Sequence, residues 1–252
     1  GERHCRIIRA APGARLVGVC DATQEVAVLL AAQFGAVAFP DYEAMLDNPQ
    51  VDVVVVCLPS ALHAEFGIRA ARAGKHVVIE KPIDARSDQA ERLLRECDAR
   101  DVLCAVISQN RFSPGLQAMR WAVDTAVPGV APVLARATVK WFRHDEYYTA
   151  SRWRGRREGE YGGVLINQAV HSVDTLQWLF GLPTEVNGYL HSSRPEVMET
   201  EDTAVAILRW QSGLLATLEA STSAAPGFDE AYEIHWPVAS IRVVKGEVDF
   251  WW

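Results

Sequence analysis

The sequence predicts an α/β protein in two parts: a doubly wound parallel sheet over residues 1–107, then an α+β unit over residues 108–252 with an open, mainly antiparallel sheet. Three observations predict it. The first hundred residues alternate short β-branched runs with helical stretches, and strands separated by helices of that length pair in parallel. The second part strings strands together without helices between them, which makes hairpins and an antiparallel or mixed sheet. At 252 residues, 49% apolar and 23% charged, the chain can bury two ordinary cores.

Taken in order, residues 4–11 are helix-like and Pro12-Gly13 ends them. Residues 15–20 form a strand closed by Asp21, and 23–34 an amphipathic helix stopped by Gly35. A short extended piece at 37–39 leads to a brief helix over 42–46 with Asp41 as its N-cap. The run 51–58 is the most β-like in the protein and Pro59 stops it. Ser60 caps a helix over 61–73, residues 77–79 are a buried strand, and Ser87 caps a helix over 88–99. Residues 102–108 close the series.

In the second part, Asn110-Arg111-Phe112-Ser113-Pro114 leads into a helix through Trp121. Residues 133–143 alternate Ala135, Ala137, Val139 and Trp141 on one face with Arg136, Thr138 and Lys140 on the other, a half-buried strand. Residues 147–155 are basic and aromatic without clear periodicity. Leu165, Ala169, Val173, Leu176 and Phe180 recur at near-helical spacing, so 164–180 is one helix, stopped by Gly181 and Pro183. Asn167, His171 and Asp174 then share one polar stripe. Residues 201–210 and 214–222 read as a hairpin, and 232–235 and 241–244 as further strands.

Lys plus Arg number 25 and Asp plus Glu 32, a formal charge of −7. That mild acidity disfavours nucleic acid or an anionic membrane as partner. No apolar run approaches the length needed to span a bilayer, and no secretory signal is present. The cysteines at 5, 20, 57, 97 and 104 share no metal-type spacing, so no metal site is expected. Buried free thiols in a reducing, cytoplasmic compartment fit them best.

Glu80 and Lys81 fall at the carboxyl end of a strand, where open α/β sheets hold their ligands, and Pro82 fixes the turn. On spacing alone a surface ion pair is the equal alternative. Asp21 ends the second strand of the expected sheet, where a carboxylate accepts from both hydroxyls of an adenosine ribose and repels a 2′-phosphate. No Arg follows it closely, which favours NAD over NADP. Asp is also a common helix cap. Gly1-Glu2-Arg3-His4 reads as the tail of a G-x-G-x-x-G loop, with Gly1 its third glycine. The strand before that loop lies mid-sheet in the 3-2-1-4-5-6 order of Rossmann-like folds. The chain is therefore read as a fragment lacking that strand and loop, and cut short at its C-terminal end as well.

The residues Cys57-Leu58-Pro59-Ser60-Ala61-Leu62-His63, then Ala73-Gly74-Lys75-His76, then Glu80-Lys81-Pro82, resemble the Gfo/Idh/MocA oxidoreductases at matching spacing. The resemblance covers essentially the whole chain. It implies an NAD(P)-dependent enzyme of sugars and cyclitols, with a dinucleotide domain and a second domain whose open sheet forms the substrate pocket and often a subunit interface. Leu58, Pro59, His63, Glu80, Lys81 and Pro82 would join Gly1 and Asp21 at the cofactor. The stretch 162–174 resembles the family's G-G-x-L-x-D-x-x-x-H-x-x-D helix, which makes His171 the catalytic histidine. Asn167 stands where the family often has Asp, and an amide cannot take up a proton. The segment 234–241 also departs from the family's I-H-G-x-x-G-x turn, with Trp236 and Ala239 in place of glycines.

These residues suit a defined chemistry. His171, with an unperturbed pKa of about 6.5, serves as base at a substrate hydroxyl, and Lys81 donates to the same oxygen. Glu80 serves the cofactor's ribose. The function expected is hydride transfer between NAD and a secondary hydroxyl of a sugar, sugar acid or cyclitol, in a homo-oligomer built through the second sheet. An NAD-dependent glycosidase of the same family and a non-catalytic dinucleotide-binding regulator are the alternatives. Tyr148, Arg152, Trp153 and Arg154 are candidate contacts to a carboxylate or sugar face, or an ordinary salt-bridged loop.

Overall fold

The computed structural model describes residues 1–126, 129–150 and 153–252. The chain divides into two compact units, Gly1–Ile107 and Ser108–Trp252.

The first unit runs α1 (Glu2–Ala10), β1 (Gly18–Val19), α2 (Gln24–Phe34), β2 (Val37–Ala38), α3 (Tyr42–Leu46), β3 (Val53–Val56), α4 (His63–Arg72), β4 (His76–Ile79), α5 (Ser87–Ala99) and β5 (Cys104–Val106). All its strand pairs are parallel, β1 with β2 and, separately, β3-β4-β5 in that order. The parallel class is as expected, but the sheet is in two pieces. The expected strand 15–20 shrinks to two residues of ladder, because β1 has β2 as its one hydrogen-bonded neighbour among the described residues. The buried sides of β3 and β4 (Val54, Val56, Val77, Ile79) pack with Ile68, Leu93 and Cys97 of the two helices that follow them. This apolar layer fixes where the strand ends lie.

Two expected helix caps are corrected. Ser60 begins a 3-10 turn, Ser60–Leu62, and the helix proper starts at His63. Its Ala64 N–H goes to buried Asp84, whose Oδ2 accepts at 2.8 Å while Oδ1 accepts from Arg86 N at 2.9 Å. Ser87 is the first residue of α5, with Arg86 at the cap position and no side-chain cap. A carboxylate takes two donors where each serine takes one, so Asp84 organises both helix starts.

The second unit opens with a 3-10 turn, Gln109–Phe112, and α6 (Pro114–Trp121), which runs on as a π-helical turn at Ala122–Ala126. There follow β6 (Leu134–Lys140), α7 (Glu146–Thr149), α8 (Arg157–Glu160), α9 (Val164–Asn167), α10 (Val170–Phe180), β7 (Glu185–His191), β8 (Thr203–Arg209), β9 (Leu215–Ser221), β10 (Ala231–His235), β11 (Ser240–Val244) and β12 (Glu247–Trp251). Seven strands form one sheet in the order β12-β11-β10-β6-β9-β8-β7. Among the described residues of this sheet, only β6 and β9 pair in parallel.

One face of this sheet carries Ala135, Ala137, Ala216, Leu218, Tyr232, Ile234, Ile241 and Val243 into a core with Leu116 and Met119 of α6 and Leu176 and Leu179 of α10. The other face is a ladder of ion pairs: Glu219 with Arg136 and Lys140, and Glu233 with Arg136 and Arg242. Beside that ladder Leu134, Val205, Ile207, Leu215 and Tyr189 stay exposed.

Candidate functional site

In the first unit the candidate residues gather at the carboxyl ends of the parallel strands. Glu80 directly follows β4. Its Oε1 lies 2.7 Å from His4 Nε2 of α1, and its Oε2 accepts from the Lys81 N–H at 3.1 Å. Burial pushes this carboxyl up, and the hydrogen bonds from His4 and from the Lys81 N–H outweigh it, so it sits below the usual Glu range. The residue proposed for a ribose thus also holds α1 to β4. A depressed carboxylate stabilises the fold above its unfolded pKa, and that stability is lost as pH falls through the folded value. Glu80→Gln is therefore expected to flatten the acid side of the stability–pH profile in urea unfolding, with the two curves converging at low pH. Parallel curves throughout would refute the assignment.

His63 is buried, and its two ring nitrogens face carbonyls, Nδ1 the oxygen of Pro82 at 2.7 Å and Nε2 that of Leu58 at 2.8 Å. It staples the strand end at Leu58-Pro59 to the Glu80-Lys81-Pro82 turn, so its direct bonds go to backbone. His63→Phe is expected to lose about 1–3 kcal/mol, since a buried carbonyl gives up its donor. A denaturation midpoint unchanged from the parent would rule that out.

Asp21 is exposed at the end of β1, where Oδ1 accepts from Thr23 N at 2.9 Å. Among the described residues its other oxygen makes no hydrogen bond. Gly1 holds the cap position of α1, its carbonyl accepting from His4 and Cys5. A carboxylate with a spare acceptor after β1 and a lysine after β4 fit a dinucleotide by their donor and acceptor types.

In the second unit the expected single helix is two. The chain breaks at Gln168-Ala169, between α9 and α10, so Asn167, His171 and Asp174 do not form one stripe. Each has its own partner. Asn167 Nδ2 donates to Glu160 Oε1. His171 Nε2 lies 3.4 Å from Gln109 Nε2, and Asp174 takes a two-pronged bond from Arg111 at 2.8 and 2.5 Å. Val173, expected in the core, is 42% exposed, since α10 buries Ser172, Thr175, Leu176 and Leu179 instead.

The break has a cause. Gly163 packs so closely on Glu201 that a Cβ there would sit 1.8 Å from its carbonyl oxygen. That carbonyl accepts from Val164 N at 2.9 Å, while the Glu201 carboxylate accepts from Gly163 N at 2.9 Å and Leu165 N at 3.2 Å. The start of α9 is thus tied to Glu201, two residues before β8. Next to His171, Ser172 donates to Glu230 at 3.2 Å, and Tyr232 and Asn110 donate to the same carboxylate. Burial outweighs these bonds and raises the Glu230 carboxyl. Glu201, Glu160 and Glu230 carry no signal of their own in the sequence; of their partners, only the Gly162-Gly163 doublet signals a close approach.

The described residues of the basic and aromatic segment are partly buried. Tyr148 is buried with its hydroxyl 2.8 Å from Thr222 Oγ1, which removes it as a substrate contact. Arg154 lies over Tyr147 and Trp153, and Arg143 over Trp141 and Tyr147, an alternating cation–π stack. Arg152 lies outside the described residues. At the other departure, Trp236 fills the main core and its backbone N–H closes the β10–β11 turn on Ala239 O at 2.8 Å. Among the described residues no cluster of His, Cys, Asp or Glu could hold a metal ion, and no helix is long and apolar enough to cross a membrane.

Residues 1–108 match the description "Oxidoreductase family, NAD-binding Rossmann fold", and residues 117–242 match "GFO/IDH/MocA C-terminal domain". The chain belongs to the GFO/IDH/MocA family. Similar GFO/IDH/MocA proteins include the scyllo-inositol 2-dehydrogenase (NAD(+)) of Bacillus subtilis, 26% identical over 96% of this chain and 70% of its own. The scyllo-inositol 2-dehydrogenase (NADP(+)) IolW of the same organism is 30% identical over 78% of this chain. The WlbA dehydrogenase of Bordetella pertussis, solved with NADH and UDP-GlcNAcA, is 33% identical with a TM-score of 0.92, covering 99% of this chain and 73% of that one. The chain spans 58% of the Thermotoga maritima myo-inositol 2-dehydrogenase and 54% of IolW.

Proposed function

We propose that the protein transfers hydride between NAD and a secondary hydroxyl of a sugar, sugar acid or cyclitol. The observation that carries this reading is the match of both units to one oxidoreductase family, with Lys81 at the carboxyl end of a parallel strand. Asp21, Leu58, Pro59, Glu80 and Pro82 would hold the dinucleotide, His63 bracing them, and Gly1 would lie at the phosphates. Asp21 favours NAD over NADP, since a carboxylate repels a 2′-phosphate. Bound NAD supplies the hydride acceptor.

The protein's own residues handle the proton. His171 accepts it from the substrate hydroxyl, and Lys81 donates a hydrogen bond to the same oxygen as negative charge develops. Asn167 binds a neighbouring hydroxyl. The exposed apolar residues beside the ion-pair ladder support assembly of copies through the open sheet face. Five free cysteines support a reducing, cytoplasmic setting.

The test uses the complete reading frame: reduced-cofactor absorbance with NAD and with NADP across a panel of polyols, sugars and sugar acids. Reduction of NAD by at least one member is expected. Tight NAD binding without reduction or glycoside cleavage would overturn the dehydrogenase reading in favour of a regulator.

A further inference from the structure

We propose that Arg143 and Arg154 form a subsite for an anionic group carried by the substrate, a carboxylate or a phosphate ester, which narrows the substrate to a charged sugar. This rests on the reading of the protein as a sugar dehydrogenase. Both arginines are half-buried and converge on the ring of Tyr147, their guanidinium carbons 5.4 and 4.6 Å from its centroid. Arg143 also lies over Trp141 at 5.0 Å, and Arg154 over Trp153 at 5.3 Å. Among the described residues neither guanidinium forms an ion pair, and that of Arg154 makes no hydrogen bond. The Arg143 side chain has one, a long 3.5 Å contact from Nη2 to Gln168 Oε1, while its buried Nε has no acceptor.

A local shortage of acid does not explain this. Arg194, which donates to the Arg143 carbonyl at 2.8 Å, holds Asp145 at 2.9 Å and faces Asp202 at 3.8 Å. That neighbouring cation is neutralised from within the chain, and these two are not. A guanidinium stacked on a ring keeps its edge N–H groups in its own plane, clear of the ring, and that fork matches a carboxylate or phosphate. Half-burying two such groups without a counter-charge costs stability that an anionic ligand would restore. Buried Gln168 ties the pair to the chain around His171. Its Nε2 donates to the Tyr147 hydroxyl at 3.0 Å and its Oε1 accepts from Arg143. Gln168 directly follows Asn167 and precedes the helix of His171, so the cations are anchored at the turn between the two candidate polyol residues.

The test uses the complete protein and three matched probes: a neutral hexose, its uronic acid, and its nucleoside-diphosphate ester. Parent, Arg143→Gln, Arg154→Gln and Arg154→Lys are compared in NAD reduction and, separately, in the rise of Tm that each probe gives in the presence of NADH. The parent is expected to prefer a charged probe over the hexose by about a hundredfold in kcat/KM, and the probe preferred tells carboxylate from phosphate. Each Gln variant is expected to cut that preference about tenfold or more, through KM rather than kcat, and to shrink the Tm rise given by the charged probe. Arg154→Lys is expected to recover part of it, since it keeps the charge and loses the fork. A parent that treats hexose and charged probes alike, or an unchanged preference in either Gln variant, would overturn the proposal. Should Arg143→Gln fail to fold, Arg154→Gln decides. If no probe reduces NAD, the dehydrogenase reading fails. Tm rises confined to the charged probes and lost in Arg154→Gln would then still uphold the subsite, and equal rises or none would overturn it.

Discussion

Lys81→Ala is expected to lower turnover about a thousandfold while leaving NAD affinity within a few-fold of the parent. Lys81 lies two residues past the end of β4, its backbone N–H held by Glu80 Oε2 at 3.1 Å. His63 anchors the next residue through the Pro82 carbonyl. The main chain at 80–82 therefore does not depend on the lysine side chain, and the truncation leaves its frame intact. What is lost is the donor for an oxygen becoming an alkoxide, an interaction realised in the transition state more than in the ground state. The loss should fall on kcat. Lys81→Arg is expected to recover little, since a guanidinium is wider and holds its proton in every state. Undiminished turnover in Lys81→Ala would sink the proposed role.

Gly163→Ala is expected to lower the stability of the second unit by about 3 kcal/mol or more. Its Cβ would meet the Glu201 carbonyl oxygen at 1.8 Å, the carbonyl carbon at 2.8 Å and the nitrogen at 2.9 Å. All three are backbone atoms, pinned because Glu201 caps α9 and adjoins β8, so neither side can yield cheaply. Gly162→Ala is the control: the nearest atom there is Ile166 Cγ2 at 3.0 Å, the end of a side chain that can rotate. Calorimetry should show a clearly larger loss for Gly163→Ala. Equal losses would mean that the close approach relaxes at little cost.

These cases show what was legible in the sequence. The run 53–56 and residues 77–79 were readable because each is an unbroken β-branched apolar stretch. The strands β7 and β12 were not: every residue in both is exposed, so neither carries an alternating pattern. Near-helical apolar spacing ran straight through the break at Gln168-Ala169, because that break is imposed by Glu201, more than thirty residues away. Lys81, His171 and Asn167 were singled out as candidates through short motifs. Asp84, Glu160 and Glu230 were missed, since a lone carboxylate shows its partners only after folding.

The interruption between α9 and α10 separates two inheritances. Asn167 takes its position from Glu160 and, through Gly163, from the strand that Glu201 precedes. His171 and Asp174 take theirs from α10 and the segment 109–111. Sequence change in residues 155–167 therefore reaches the amide through Glu160 and Gly163. The amide and the imidazole sit four positions apart in the chain, yet the bonds named for them lead to different parts of the fold.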